Sequence, residues 1–314
     1  MLSRSRLGSR CTKFGLTGLA LLALAGIFAS ATPAAAQAVV AEKPAAKPSC
    51  AGVKGQRVFS CGHSFHVFVP KILGNMVELA GIKDHVQLGL SSIGGSRVMQ
   101  HWDVVDEKNK AKEALRTGQV DVLTLSPIFM PDDGIDKFAT LALEHNPNIR
   151  ITVQEIWLRR DVYEPTTKVL PKTVDHNAIT GAELRERHEP LFKSIDEHVT
   201  QLNQKYGKQV LFIVPTGQAV IALRERIMAG KAGLLKSQEE LFTDVTGHGT
   251  VPLQVLVAYC HFAVIYRCNP IGQPMPELLA KDGKRTWDDE TVRVLQEVAW
   301  EAVTQHPLSG VKAE

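Results

Sequence analysis

Five short runs rich in β-branched and aromatic residues, at 58–61, 86–90, 120–125, 149–157 and 210–214, alternate with segments whose apolar residues recur every three to four positions. Runs of that length bounded by turn residues read as buried strands, and the intervening period reads as amphipathic helix. Strands alternating with helices pair in parallel and are covered on both faces. This predicts an α/β fold, a three-layer α/β/α sandwich around a five-stranded parallel sheet. Ligands bind such sheets at the carboxyl ends of the strands. Ser64, the Gly94-Gly95 loop, Ser126 and Trp157 all follow strands at that edge.

Chemistry concentrates in Arg57-Val58-Phe59-Ser60-Cys61-Gly62-His63-Ser64-Phe65-His66. Phe65, Phe68, Val69, Ile72, Leu73, Met76, Val77 and Ala80 share one helical face, so a helix is expected to begin just after Ser64. A serine between a strand's end and a helix's first turn sits over free backbone N–H groups and the positive end of the dipole. There a developing alkoxide or oxyanion is stabilised. The same position suits a plain helix cap. Further helices are expected over 104–118, 134–145, 182–206, 218–229, 252–265 and 289–304. The segment 159–180 holds Pro165 and Pro171, lacks a steady period, and reads as an inserted loop near the site.

Arg4, Arg6, Arg10 and Lys13 precede an apolar run over 14–29 and a small-residue tract with Ala-x-Ala sites. The pattern predicts a signal peptide over 1–38, cleaved after Ala36 or Ala38, then an Ala/Pro/Lys-rich linker over 39–54 and one domain over 55–314. The expected location is periplasmic or extracellular, with membrane contact only through the signal segment. The net charge is +3, and the segment to Ala38 carries four basic residues and no acid, which leaves −1 for the mature chain. No basic patch for nucleic acid is present. Cys50, Cys61, Cys260 and Cys268 remain after cleavage, with three possible pairings and no Cys-x-x-Cys spacing.

Near the C-terminus, Thr243-Asp244-Val245-Thr246-Gly247-His248-Gly249 places an acid and a histidine before an apolar helix. With Gly62-His63-Ser64-Phe65 and the Gly94-Gly95 loop, this order resembles the SGNH, or GDSL-like, hydrolases over residues 58–274. The resemblance implies that Ser64 is the nucleophile, His248 the general base and Asp244 its orienting acid. It assigns the oxyanion donors to the backbone N–H of Ser64 and of Gly94 or Gly95. The chain departs from the family pattern in three places. Asp244 and His248 are four residues apart rather than three, Gly-His-Ser-Phe replaces Gly-Asp-Ser-Leu, and no asparagine follows the third strand. Ser126 stands there as a candidate third donor.

His63, His101-Trp102 and Trp157 are candidates to line the substrate pocket, and each also has an ordinary buried reading. His63 and His66 lack a carboxylate at matched spacing, so no metal and no cofactor are expected. His261 reads as a core histidine, and Asp132-Asp133 as a turn or helix start. The resemblance and the signal segment imply an exported serine ester hydrolase for carbohydrate O-acetyl or other short-chain acyl esters. The alternative is a catalytically impaired relative that binds a glycan or small ligand. A two-lobed solute-binding protein fits less well, because the pattern holds one sheet.

Overall fold

The computed structural model describes Cys50 and residues 52–164 and 170–313; the expected signal segment and most of the expected linker lie outside the described residues. The chain runs β1 (Arg57–Gly62), α1 (Val69–Leu79), β2 (Val86–Ser92), α2 (Val98–Trp102), α3 (Lys110–Arg116), β3 (Val122–Leu125) and α4 (Asp133–His145). It continues with β4 (Arg150–Gln154), α5 (Gly181–Tyr206), β5 (Leu211–Val214), α6 (Thr216–Met228), α7 (Val251–Tyr266), α8 (Glu277–Ala280) and α9 (Asp289–Gln305). The five strands form one parallel sheet in the order β2-β1-β3-β4-β5, with helices on both faces, as expected. Strand order reverses between β1 and β3, so the crevice for a ligand opens at the ends of those two strands.

Burial follows the pattern in the sequence. β3 and β5 are buried along their whole length, and β4 is buried beyond Arg150, as β-branched strands covered on both faces must be. The edge strand β2 alternates between exposed and half-buried residues. Helix α7 is apolar on all sides and buried from Leu253 onward except at Gln254, packed between α1 and α9. On the other face α2 and α3 pack against α4.

Three boundaries differ from the sequence reading. Helix α1 starts at Val69, not after Ser64, and residues 64–68 form successive turns closed by His66 and Val67 N–H bonds to the His63 carbonyl. Pro70 explains the delay, since a residue without an N–H fits the first helical turn, where that group has no partner anyway. Ser64 is therefore not the helix cap. The single helix expected over 104–118 is broken by Asn109, whose amide donates to the carbonyls of His101, Trp102 and Val104 while its oxygen accepts the Lys112 N–H. β4 ends at Gln154, so Trp157 lies beyond the strand rather than within it.

The described residues after β4 are tied to α6. Asp161 accepts 2.6 and 2.9 Å bonds from Arg224 of α6 and a 2.7 Å bond from His176, all three side chains being buried. Burial pushes the Asp161 carboxyl up, but His176 and Arg224 outweigh it and hold it down at about 2.

Cys50 is bonded to Cys268, which ties the end of the linker to the segment after α7, while Cys61 and Cys260 are buried free thiols. The bridge closes a sequence separation of 218 residues, and constraining so long a loop in the unfolded chain stabilises the fold by about 2–4 kcal/mol. The Cys50→Ser, Cys268→Ser double variant is expected to lower the unfolding free energy by that amount, read as a lower urea midpoint at unchanged slope. An unchanged midpoint would show that the bridge does not stabilise the domain.

Candidate active site

Ser64 projects from the turn after β1, and its hydroxyl donates to His248 Nε2 at 2.9 Å. His248 Nδ1–H donates to Asp244 Oδ2 at 2.6 Å. The three residues named from the sequence therefore stand together in one line of hydrogen bonds across 184 residues of chain.

The four-residue spacing between acid and base has a local cause. The loop is closed at its neck by a Phe242–Gly249 bridge and by Thr243 N–H to the His248 carbonyl at 2.8 Å. Within it, Asp244 Oδ1 accepts the N–H groups of Thr246, Gly247 and His248 at 2.9, 3.1 and 3.4 Å. That leaves Oδ2 for the imidazole. Gly247, at φ +96°, supplies the left-handed turn that brings the ring back over the carboxylate, and any side chain there would be strained. Partial burial raises the Asp244 carboxyl, but the His248 ring and the backbone donors hold it below the ordinary carboxylate range.

Two rings join this loop to the β1 turn. Phe65 stacks on Trp157 at 4.4 Å, and His248 meets the Phe65 ring edge-on at 5.3 Å. Trp157 Nε1 donates to the Gly247 carbonyl at 2.8 Å. Beneath the turn, Gln154 at the end of β4 donates to the Phe65 carbonyl at 3.0 Å, and its oxygen accepts His66 Nδ1–H at 2.7 Å and His261 Nε2–H at 2.9 Å. His66 Nε2 then accepts the Thr124 hydroxyl at 2.9 Å. The tautomers follow from these roles.

Ile93 N–H bonds to the Gly62 carbonyl at 3.2 Å and holds the glycine loop against the β1 turn. Among the described residues, the backbone N–H groups of Ser64, Gly94 and Gly95 have no protein acceptor. Gly94, Gly95 and Ser64 are all exposed. Backbone donors without a protein acceptor, on a loop tied to the turn that carries a hydroxyl, are available to a developing oxyanion.

The other sequence candidates take different places. Ser126 is fully buried, with its oxygen 3.3 Å from His63 Nε2, so it does not face the open side of the Ser64–His248 pair and is not a direct oxyanion donor. His63 is buried too. Its Nδ1 accepts the Phe65 N–H, and burial first, then the nearby His66, His101, Arg159 and His248, lowers its pKa to about 3. His101 is buried between the Ser91 and Ser96 hydroxyls, and Trp102 packs edge-on against Phe138 of α4. Trp157 is 1% exposed and supports the site from below. His63, His101 and Trp157 are buried and so hold their neighbours in place rather than line a pocket, while Trp102 is half-buried against α4. Among the described residues, no group of three or more His, Cys, Asp or Glu is arranged to hold a metal.

The supports were the part missed in sequence. A polar pair, Gln154-Glu155, inside an apolar run was the available signal, since a buried amide needs partners.

No family model matches the chain, and no curated protein matches it. Among solved structures, a DUF4886 family protein from Bacteroides uniformis superposes with a TM-score of 0.50 at 14% identity, over 80% of this chain and 96% of that one. A protein assigned as a GDSL-like lipase from Parabacteroides merdae aligns at 15% identity with a TM-score of 0.38, over 66% of this chain and 94% of its own. An extracellular lipase from Streptomyces rimosus aligns at 12% identity with a TM-score of 0.39, over 68% of this chain and 100% of its own. The likeness is one of fold.

Burial around the site fixes its pH response. His66, His101 and His188 are lowered to about 4 and His63 to about 3, each chiefly by burial, so all four are neutral when folded and charge readily when unfolded. Their contribution to stability is full above about pH 6.5 and is lost as pH falls toward 4. Glu155 acts oppositely. Burial raises it to about 8, so its contribution is full near pH 4.5 and is lost as pH rises toward 8. Urea midpoints should therefore peak near pH 6.5 and fall on both sides, more steeply toward acid, where at least four imidazoles act against one carboxyl. Glu155→Gln should flatten the alkaline limb; a midpoint that rises from pH 6.5 to 5 would contradict the scheme.

Gln154→Leu would strand two buried imidazole N–H groups and the Phe65 carbonyl. The expected loss is about 2–4 kcal/mol in denaturant unfolding, because buried donors and an acceptor lose their partner. A change below about 0.5 kcal/mol would show that the amide does not hold the turn.

Proposed function

We propose that this chain is an exported serine ester hydrolase in which Ser64 is the nucleophile, His248 the general base and Asp244 the residue that orients and stabilises the imidazolium. The observation that carries the reading is the continuous line from Ser64 Oγ to His248 Nε2 at 2.9 Å and from His248 Nδ1 to Asp244 Oδ2 at 2.6 Å. A serine hydroxyl becomes an effective nucleophile when a positioned base takes its proton as the carbon–oxygen bond forms. His248 then returns that proton to the departing alcohol, and water repeats the sequence to release the acid. The Ser64 and Gly94 or Gly95 N–H groups would receive the charge on the tetrahedral oxygen.

Short-chain acyl esters, carbohydrate O-acetyl groups among them, fit this site best. Ser64 lies on an open surface, accessible to an ester carried on a bulky or polymeric alcohol. Export is supported by the Cys50–Cys268 disulfide, a bond that persists in oxidising compartments, and by the N-terminal sequence pattern. With Ser126 buried, the hole rests on two kinds of backbone donor and lacks a side-chain third. A missing donor costs about 2.7–4 kcal/mol, or roughly a hundred- to thousandfold in rate. The enzyme is accordingly slow. The same feature favours the second reading, a binding protein built on this fold.

Hydrolysis of p-nitrophenyl acetate by the mature protein, Ser64→Ala and His248→Ala decides between them. The expected result is low turnover in wild type and loss of at least a hundredfold in each variant. Equal rates in wild type and Ser64→Ala would assign the hydrolysis to a contaminant and leave the binding protein as the better reading.

A further inference from the structure

The loop that carries Asp244 and His248 lies at the surface. Their side chains are 46% and 37% exposed, and the chain between Phe242 and Gly249 belongs to no helix or strand. Such a loop keeps an imidazole 2.9 Å from the Ser64 hydroxyl only when other elements fix it. Trp157 holds it at Gly247. Two further ties lie to either side of that point, and both lead to one buried acid.

The first tie is the Arg160 N–H, which donates to the Thr246 carbonyl at 3.2 Å. The second is at the neck, where the Phe242 ring packs against His176 with ring centres 4.3 Å apart and lies 5.5 Å from the Arg224 guanidinium. Asp161 adjoins the first and binds both partners of the second. Its Oδ1 accepts Arg224 Nη1–H at 2.6 Å, and its Oδ2 accepts Arg224 Nη2–H at 2.9 Å and His176 Nδ1–H at 2.7 Å. Arg224 Nε–H also donates to Gln238 Oε1 at 2.7 Å, on the short turn that leads into Phe242.

The backbone bears the mark of the same constraint. Arg160 and Asp161 are both left-handed, at φ 55° and 53°, a conformation in which a Cβ crowds the following carbonyl. Two such residues in succession persist where the surrounding contacts over-determine them. Here those contacts are the three bonds to the Asp161 carboxylate, two of them along the planar fork of a buried guanidinium. The turn they hold presents the Arg160 N–H to the loop.

We propose that Asp161 is a positioning residue for His248: through Arg224, His176 and the left-handed turn at Arg160, it holds the acid–base loop where the imidazole meets Ser64. The inference rests on the ester-hydrolase reading for the role of His248 as a base. The hold on the loop itself does not.

Two variants test it. Asp161→Asn keeps the shape of the side chain and removes the charge that holds Arg224. Phe242→Leu leaves that buried pair intact and removes the ring it grips, so the proposal is tested even where the first variant does not fold. In folded protein, each should lower kcat on p-nitrophenyl acetate about ten- to a hundredfold and change KM by less than about threefold, since the base is misplaced while the substrate's contacts remain. Added to His248→Ala, either substitution should lower the residual rate no further, because its effect passes through that ring. A merely structural change would lower the rate by the same factor in both backgrounds. Amide hydrogen exchange is independent of catalysis: protection over residues 243–250 should fall in both variants while protection in β1 and β3 is kept. If Ser64→Ala hydrolyses as fast as wild type, the hydrolase reading falls, and amide exchange still decides whether Asp161 and its partners hold the loop. Unchanged kcat in the folded variants, an equal loss in the His248→Ala background, or loop exchange as slow as in wild type overturns the inference.

Discussion

The Trp157–Phe65 stack is the joint on which the site depends. Phe65 belongs to the turn after β1, Trp157 to the segment after β4, and the indole N–H reaches into the acid–base loop at the Gly247 carbonyl. One pair of rings thereby sets the distance between a serine near the start of the domain and a histidine near its end. Its rigidity comes from below, because Gln154 binds the Phe65 carbonyl and two histidines at once. A buried amide with all its partners in place has one orientation, and the turn above it inherits that orientation.

Electrostatics divides the same region into two parts. The buried histidines, His63, His66 and His261, are driven toward the neutral form by desolvation. His248 is different in its surroundings: it is partly exposed and faces a carboxylate whose ionised form is stabilised by three backbone N–H groups. Of the histidines around the serine, it is therefore the one whose ring links the hydroxyl to a carboxylate.

Much of this was legible in the sequence. Period-two and period-3.6 patterning was enough for the sheet, because strands buried on both faces have few other ways to read, and Ser64, Asp244 and His248 stood out as polar residues at strand and helix ends. Boundaries were less legible where one residue overrode a pattern: Asn109 splits a helix by taking three carbonyls, and Pro70 postpones another. The roles of His63, His101, Trp157 and Ser126 were not legible, since whether such a side chain faces solvent or supports a neighbour is decided by packing between segments far apart in the chain. The lost third donor illustrates this: Ser126 follows β3 at the expected position, yet its hydroxyl is committed to His63 inside the fold.

The central claim is that Ser64 is activated by His248, and covalent labelling tests it most directly. The mature protein would be treated with a fluorophosphonate and the adduct located by intact mass and peptide mapping. The account predicts one adduct per chain, on Ser64, formed far more slowly in His248→Ala. An absent adduct, one on another residue, or labelling of Ser64 at the same rate without His248 would contradict it.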